Sequence, residues 1–256
     1  MKSIWNGSIV FGLVNIPIKM YSASEERSLD LDMLDSSDHS RIRFLRVNEK
    51  TGKEVEWKDI VKGYKMDDRY VILEDEDFEK ADAKKSKTVE IEAFVEELEV
   101  ADLLFKKPYF LEPQKEGEKA YNLLRDALQK TKKLGLATFV MRQKENLCLI
   151  GVYQNVLVLH VIRFAEEVRN PSDLKISTTK VSAKEAEMAE SLIKQYTEKF
   201  DLEKYKDMYV EKLMKVIDEK SKGKKTKVKK FVAETTPAKD LMEKLRESLA
   251  KRKKAS

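Results

Sequence analysis

The chain has 256 residues, of which 41% are hydrophobic and 38% are charged. That hydrophobic content is sufficient for a packed core, and the length fits one large domain or one domain with an appendage. The single cysteine excludes an intramolecular disulfide, and no apolar run approaches the about 18 residues that a membrane span needs. The sequence therefore favours a soluble, intracellular protein.

Positive charge is concentrated near the C-terminal end. Lys and Arg number 51 against 46 Asp and Glu, which gives a net charge of +5. Residues 219–256 contain 14 basic and 5 acidic residues, a net charge of +9, so residues 1–218 carry a net charge of −4. Composition alone is equally consistent with a solvated polycationic tail and with a tail that binds an anionic partner.

Residues 1–180 are predicted to form a β-rich core. Alternating apolar and polar residues, or runs of β-branched and aromatic residues, predict strands at 14–21, 41–47, 70–73, 88–95, 104–111, 136–142, 147–153 and 156–163. Only short polar breaks separate the last three strands, so these are predicted to form successive antiparallel hairpins. An apolar stripe predicts one amphipathic helix at residues 118–130.

Residues 181–219 are predicted to form a helical segment. Apolar residues at helical spacing predict helices at 182–200 and 203–219. Ser182 and Glu185 have the spacing of a capping box at the start of the first helix. We expect two copies of the chain to dimerise through three apolar residues of this helix, Leu192, Ile193 and Tyr196.

Residues 220–256 are predicted to form a flexible, Lys-rich tail that ends in a short helix. The stretch 220–230 is rich in Lys, Gly, Ser and Thr, which is typical of a self-repelling linker. Thr236-Pro237 is a favourable start for a helix. The apolar stripe of that helix comprises Leu241, Met242, Leu245 and Leu249. A short helix of this kind either binds a partner or folds back onto its own domain.

Residue clusters typical of enzymes and metal sites are missing. One cysteine and two distant histidines do not supply a zinc site. His39 lies beside Ser36, Ser37 and Asp38, so a hydrolase is one alternative, but the sequence contains no G-x-S-x-G motif. Cys148 lies in an apolar run and is predicted to be a core residue. We expect no catalytic residue, no metal and no cofactor, and thus a protein that is not an enzyme.

The chain contains a series of motifs that begins with IWNGSIVFGLVNIPIKMYSA at residues 4–23 and continues through segments at 52–55, 60–64, 86–91, 107–113, 117–121 and 240–249. Taken in this order, the motifs resemble those of bacterial Ku proteins. The last segment, DLMEKLRESL, looks like the terminal motif of that family. There are two departures: Asn6 stands where a basic residue is common, and no cysteine pair surrounds Asn48 and Thr51, so no zinc knuckle is expected.

The resemblance implies a mixed, mainly β fold. Its core is an antiparallel β-barrel with a strand-built bridge, followed by C-terminal helices and the basic tail. It also implies a homodimeric ring that threads onto the ends of double-stranded DNA in non-homologous end joining and recruits the ATP-dependent DNA ligase D. The expected location is the bacterial cytoplasm, in association with the nucleoid. The alternative binding module is an architectural DNA- or RNA-binding barrel without end preference.

A sliding ring binds phosphates through Lys and Arg and reads no sequence. The predicted phosphate contacts in residues 1–180 are Lys19, Arg41, Arg43, Lys132, Lys133, Arg142, Lys144 and Arg163. Those in the tail are Lys224, Lys225, Lys227, Lys229 and Lys230. The ligase is predicted to bind the stripe of the terminal helix, Leu241, Met242, Leu245 and Leu249.

Overall fold

The computed structural model describes residues 1–25, 29–81, 87–224 and 241–253, and the chain divides into two compact units, Met1–Pro171 and Ser172–Ser256. The strands of the first unit are β1 (Trp5–Phe11), β2 (Val14–Ser22), β3 (Lys62–Met66), β4 (Arg69–Leu73), β5 (Thr88–Glu96), β6 (Phe105–Pro113), β7 (Lys133–Met141), β8 (Lys144–Tyr153) and β9 (Val156–Ile162). Its helices are α1 (Asp75–Ala81) and α2 (Glu118–Thr131).

A closed β-barrel forms the core of the first unit. The strand order around the barrel is β1-β2-β6-β9-β8-β7-β5. Neighbouring strands are antiparallel except at the closing seam, where β1 pairs with β5 in parallel. The predicted mainly β barrel is thus confirmed. Along β2, Ile16, Ile18 and Met20 are fully buried while the residues between them are less buried, as the two-residue period of a strand requires.

Gly7 permits the closing seam. The backbone N–H of Ser8 donates to the Lys87 carbonyl over 2.9 Å, which brings the start of β5 against β1. A Cβ atom on Gly7 would clash with that carbonyl oxygen and with the Trp5 ring. Any side chain at this position would therefore force the two strands apart.

Helix α2 packs its apolar stripe into the barrel core. The helix predicted at residues 118–130 is present, and Tyr121, Leu124 and Leu128 are each 3% exposed. The predicted stripe was only partly correct, because Leu123 is 67% exposed and Tyr121 takes its place on the buried face. The Tyr121 hydroxyl donates to the Leu111 carbonyl and accepts from the Leu157 N–H, each over 2.7 Å. This satisfies two backbone groups of β6 and β9 that would otherwise be buried without a partner.

The barrel has two ends, defined by where the strands begin and end. At the arm end, β2 ends, β7 and β9 end, and β1, β5, β6 and β8 begin. At the helix end, α2 connects the last residue of β6 to the first residue of β7. The arm, residues 29–81, is inserted between β2 and β5 and therefore leaves and re-enters the barrel at the arm end.

The arm buries almost none of its apolar side chains. It contains the β3–β4 hairpin, α1 and two isolated antiparallel bridges, Leu34 to Arg41 and Val47 to Glu54. Phe44, Trp57 and Tyr64 are 78%, 73% and 67% exposed. The prediction of a strand at 41–47 was wrong, because its alternation has no neighbouring strand along its length with which to form a ladder.

The second unit is helical. It contains α3 (Ala183–Tyr196), α4 (Met208–Ser221) and α5 (Leu241–Lys253). The predicted capping box is present: Ser182 Oγ accepts from the Glu185 N–H, and the Glu185 carboxylate accepts from the Ser182 N–H. Helix α4 begins later than predicted, because Asp207 caps it by accepting from two backbone N–H groups.

Candidate nucleic-acid interface

Basic side chains from different parts of the chain meet at the arm end of the barrel. Arg142 lies in the β7–β8 turn, Lys144 begins β8, and Arg163 follows the last residue of β9. The structure thus brings together three of the predicted phosphate contacts. Lys106, at the start of β6, lies at the same end, although no pattern in the sequence singled it out.

The β7–β8 turn holds Arg142 in an unfavourable backbone conformation. Arg142 and Gln143 have φ values of 54° and 60°, in the left-handed region that Gly and Asn favour. Neither residue type is typical of a two-residue hairpin turn, and both side chains are exposed. The turn therefore carries backbone strain that a glycine would relieve.

Glu167 connects two lysines across the arm end. Its Oε2 accepts from Lys106 Nζ over 2.6 Å and from the Phe164 N–H over 3.0 Å. Its Oε1 accepts from Lys144 Nζ over 3.3 Å. The hydrogen bond from Lys106, followed by that from the Phe164 N–H, lowers the pKa of the Glu167 carboxyl to about 2. The carboxylate is therefore charged throughout the physiological pH range.

Arg163 has a structural role at the same end. Its Nη1 donates to the carbonyl oxygens of Leu103 and Phe105 over 2.7 and 2.8 Å. These bonds fix the segment that crosses from the end of β5 to the start of β6. The guanidinium thus has only part of its donor capacity left for a phosphate.

The arm contacts the barrel close to the strained turn. Lys62 Nζ, in β3, donates to Gln143 Oε1 and lies 4.7 Å from the centre of the Phe78 ring. Within the arm, the Arg46 guanidinium lies 4.7 Å from the centre of the Trp57 ring. The Lys62 contact therefore places one further cation next to the arm end.

The other predicted phosphate contacts are spread over the first unit. Arg41 is paired with Asp32 in the arm, and Arg43 is exposed there without an ion pair to any described residue. Lys19 lies on the outer face of β2, opposite Glu112 in the β2–β6 pairing. Lys132 and Lys133 lie at the helix end, separated from Arg142 by the length of β7, which is about 26 Å from Lys133 to Met141 at 3.3 Å per strand residue. Lys133 is also paired with Glu96 over 2.9 Å.

The tail lysines are mostly outside the described residues. Lys224 is the last residue described before the gap, and the predictions for Lys225, Lys227, Lys229 and Lys230 fall on residues that are not described. The terminal helix is described as α5, and it packs against α3. Met242, Leu245 and Leu249 are half-buried on one face of α5, while Leu241 is exposed.

Helix α3 has two apolar faces. Met188, Ala189 and Leu192 are half-buried at helical spacing, and α5 is the helix that packs on α3. Ile193 and Tyr196 lie outside that face, 66% and 55% exposed. The predicted dimerisation residues are thus divided: Leu192 is half-buried together with Met188 and Ala189, while Ile193 and Tyr196 are on the exposed side.

Comparison with known proteins decides the family. The Ku70/Ku80 β-barrel domain model matches residues 10–189. The chain belongs to the Ku family. Among its relatives is the non-homologous end joining protein Ku of Coxiella burnetii, 37% identical over 99% of this chain and 96% of its own. The proteins of that name from Archaeoglobus fulgidus and Opitutus terrae are 39% and 41% identical, each over 97% of this chain and over 98% and 91% of their own.

One solved structure resembles this chain only weakly. The SPOC domain of human PHD-finger protein 3 matches 63% of this Ku chain at 12% identity and a TM-score of 0.30. A score that low carries no argument about fold or function.

The hydrolase arrangement considered from sequence is not assembled. Ser37 Oγ donates to Asp35 over 2.5 Å, and the His39 imidazole makes no hydrogen bond to any described residue. Burial lowers the pKa of His160, which lies edge-on to the Phe105 ring, and raises the pKa of the buried Cys148 thiol. Within the described part of this Ku chain, no group of three or more His, Cys, Asp or Glu residues could hold a metal, and no helix is long and apolar enough to cross a membrane.

Proposed function

We propose that this chain binds the ends of double-stranded DNA, without reading sequence, in non-homologous end joining. Relatives that bear the name of that process share 37–41% identity with it over nearly their whole length. The observation that carries the proposal is the arm, which leaves a closed barrel at the end where Lys106, Arg142 and Lys144 are gathered.

Sequence-independent binding follows from the kind of contact available. Lysine and arginine on strand ends and turns reach phosphates, whereas reading base edges requires an element inserted into a groove. Release of counterions supplies the free energy, so affinity falls as salt rises. With about six phosphates neutralised, the slope of log K against log salt is about −5, at roughly −0.9 per contact.

The active form is proposed to be a ring-shaped homodimer. An arm with exposed Phe44, Trp57 and Tyr64 buries too little apolar surface to be ordered by itself. A second copy placed around a two-fold axis would cover both arms equally. The exposed pair on α3, Ile193 and Tyr196, is proposed as a further dimer contact.

The C-terminal segment is proposed to recruit the ATP-dependent DNA ligase D. The stripe of α5 suits helix-in-groove docking, and tethering would raise the concentration of the ligase at the DNA end. The same stripe is half-covered by α3 in this chain. Ligase binding is thus proposed to require release of α5 from α3. The chain itself is proposed to have no enzymatic activity.

An architectural DNA- or RNA-binding barrel without end preference is the alternative. A competition assay separates the two, with labelled linear duplex as the ligand and equal masses of linear or closed circular DNA as competitors. A threading ring predicts that circular DNA competes poorly. Equal competition by both forms would favour an open groove. Duplexes of scrambled sequence serve as the control, and affinity should vary by less than about tenfold among them.

A further inference from the structure

Glu167 occupies an unusual position in the basic cluster of the arm end. It accepts from both Lys106 and Lys144, which come from β6 and β8, and its side chain is 33% exposed. Lys106 is also partly covered, at 28% side-chain exposure. The Phe164 N–H fixes the carboxylate between the two ammonium groups. The three side chains therefore form one ion-pair cluster with a net charge of +1.

In this cluster, the ion pairs with Glu167 engage two lysines that could otherwise bind DNA phosphates. A lysine that binds a carboxylate releases fewer counterions on meeting a phosphate, because its charge is already compensated. A phosphate that approaches either lysine also meets the fixed negative charge of Glu167. The ion pairs that order the two lysines therefore also weaken the attraction of these lysines for DNA.

We propose that Glu167 restrains the DNA affinity of the arm end by engaging Lys106 and Lys144. The inference rests on the proposed DNA binding and adds a residue that sets its strength. A ring that must move along DNA gains from such restraint, since each phosphate contact has to break at every step. Glu167 is a positioning residue in this scheme and need not touch the nucleic acid.

The test compares Glu167→Gln with Glu166→Gln in the full chain. Both substitutions remove one negative charge from adjacent positions, and Glu166 makes no ion pair with a described residue. The amide side chain of the Glu167→Gln variant retains an oxygen that can accept from the Phe164 N–H. Affinity for a linear duplex is measured at several salt concentrations. We expect Glu167→Gln to bind about fivefold more tightly at 0.15 M salt for each lysine released, with a salt slope steeper by about 0.9 per lysine.

A cycle of variants ties the effect to the two lysines. In a Lys106→Gln, Lys144→Gln background, Glu167→Gln should change affinity and slope no more than Glu166→Gln does. A purely structural role predicts the opposite direction, since loss of the ion pairs would loosen the arm end and weaken binding. Binding by Glu167→Gln that is unchanged, weaker or no different from Glu166→Gln would overturn the inference. Failure of the unsubstituted chain to bind linear duplex would instead overturn the proposed function.

Discussion

Relieving the strained turn at Arg142 should stabilise the protein and weaken its binding to DNA. Arg142 and Lys132 have nearly the same φ, 54° and 55°, and both are exposed cations without an ion pair to a described residue. They lie at opposite ends of the barrel. Arg142→Gly and Lys132→Gly therefore remove the same charge and the same backbone strain, and they differ only in which end they alter.

The expected stability gain is the same for both variants. A non-glycine residue in the left-handed region costs about 1–2 kcal/mol. Substitution by glycine removes this cost, but it also destabilises the folded chain by about 0.5–1 kcal/mol, because glycine raises the entropy of the unfolded chain. The net gain in stability is therefore about 0.5–1 kcal/mol. For a unit of this size, the thermal midpoint should rise by about 1–4 °C in each variant.

The expected DNA affinities are different. If Arg142 binds a phosphate, Arg142→Gly should flatten the salt slope by about 0.9 and weaken binding about fivefold at 0.15 M salt. Lys132→Gly should leave both unchanged. Fluorescence anisotropy with a labelled linear duplex, beside a thermal melt, measures both quantities. An equal loss of affinity in the two variants would refute the assignment of the arm end as the DNA-binding face.

Three further predictions follow from the ion pairs and the helices. Because the pKa of Glu167 is lowered, its stabilising contribution is present above its unfolded pKa and lost as pH falls towards about 2. The stability of Glu167→Gln should thus fall less steeply with falling pH below 4.5 than that of the parent chain, as measured in acid melts. The ratio of their DNA affinities should stay constant from about pH 6 to 8, where the Glu167 carboxylate remains charged. Deleting residues 237–256 should preserve end binding and abolish ligase stimulation. Met188→Lys should weaken the α3–α5 contact and thus increase stimulation. If the deletion variant still stimulated the ligase, the ligase would have to bind another surface of the chain. Charge placed at Ile193 and Tyr196 by double substitution to Glu should shift the proposed homodimer towards monomer in sedimentation at micromolar concentration. A dimer that is unchanged by the double substitution would exclude that face.

Local patterns were sufficient to predict most of the barrel. The strands predicted at 136–142, 147–153 and 156–163 are β7, β8 and β9, because each is a run of apolar residues rich in β-branched types and is joined to the next by a two-residue turn. The predicted helix at 118–130 is α2. Strand β1 was missed because Gly7 interrupts its apolar pattern, although it pairs with β2 along its whole length.

The site was less predictable because barrel topology decides which strand ends meet. Lys106 and Glu167 are 61 residues apart, and Lys62 and Gln143 are 81 residues apart. No local pattern relates them. Lys132 and Lys133 looked equivalent to Arg142 in the sequence, but they lie at the start of the strand whose end Arg142 follows. The phosphate contacts predicted from the sequence therefore include residues from both ends of the barrel.

Topological trapping tests the proposed ring most directly. The protein is bound to a linear duplex, the duplex is closed into a circle by ligation, and the complex is washed in about 1 M salt, where contacts that depend on phosphates alone are weak. A ring predicts that protein stays on the circle through the wash and leaves once a restriction enzyme cuts the DNA. Equal release from linear and circular DNA in the same wash would contradict the threading mechanism.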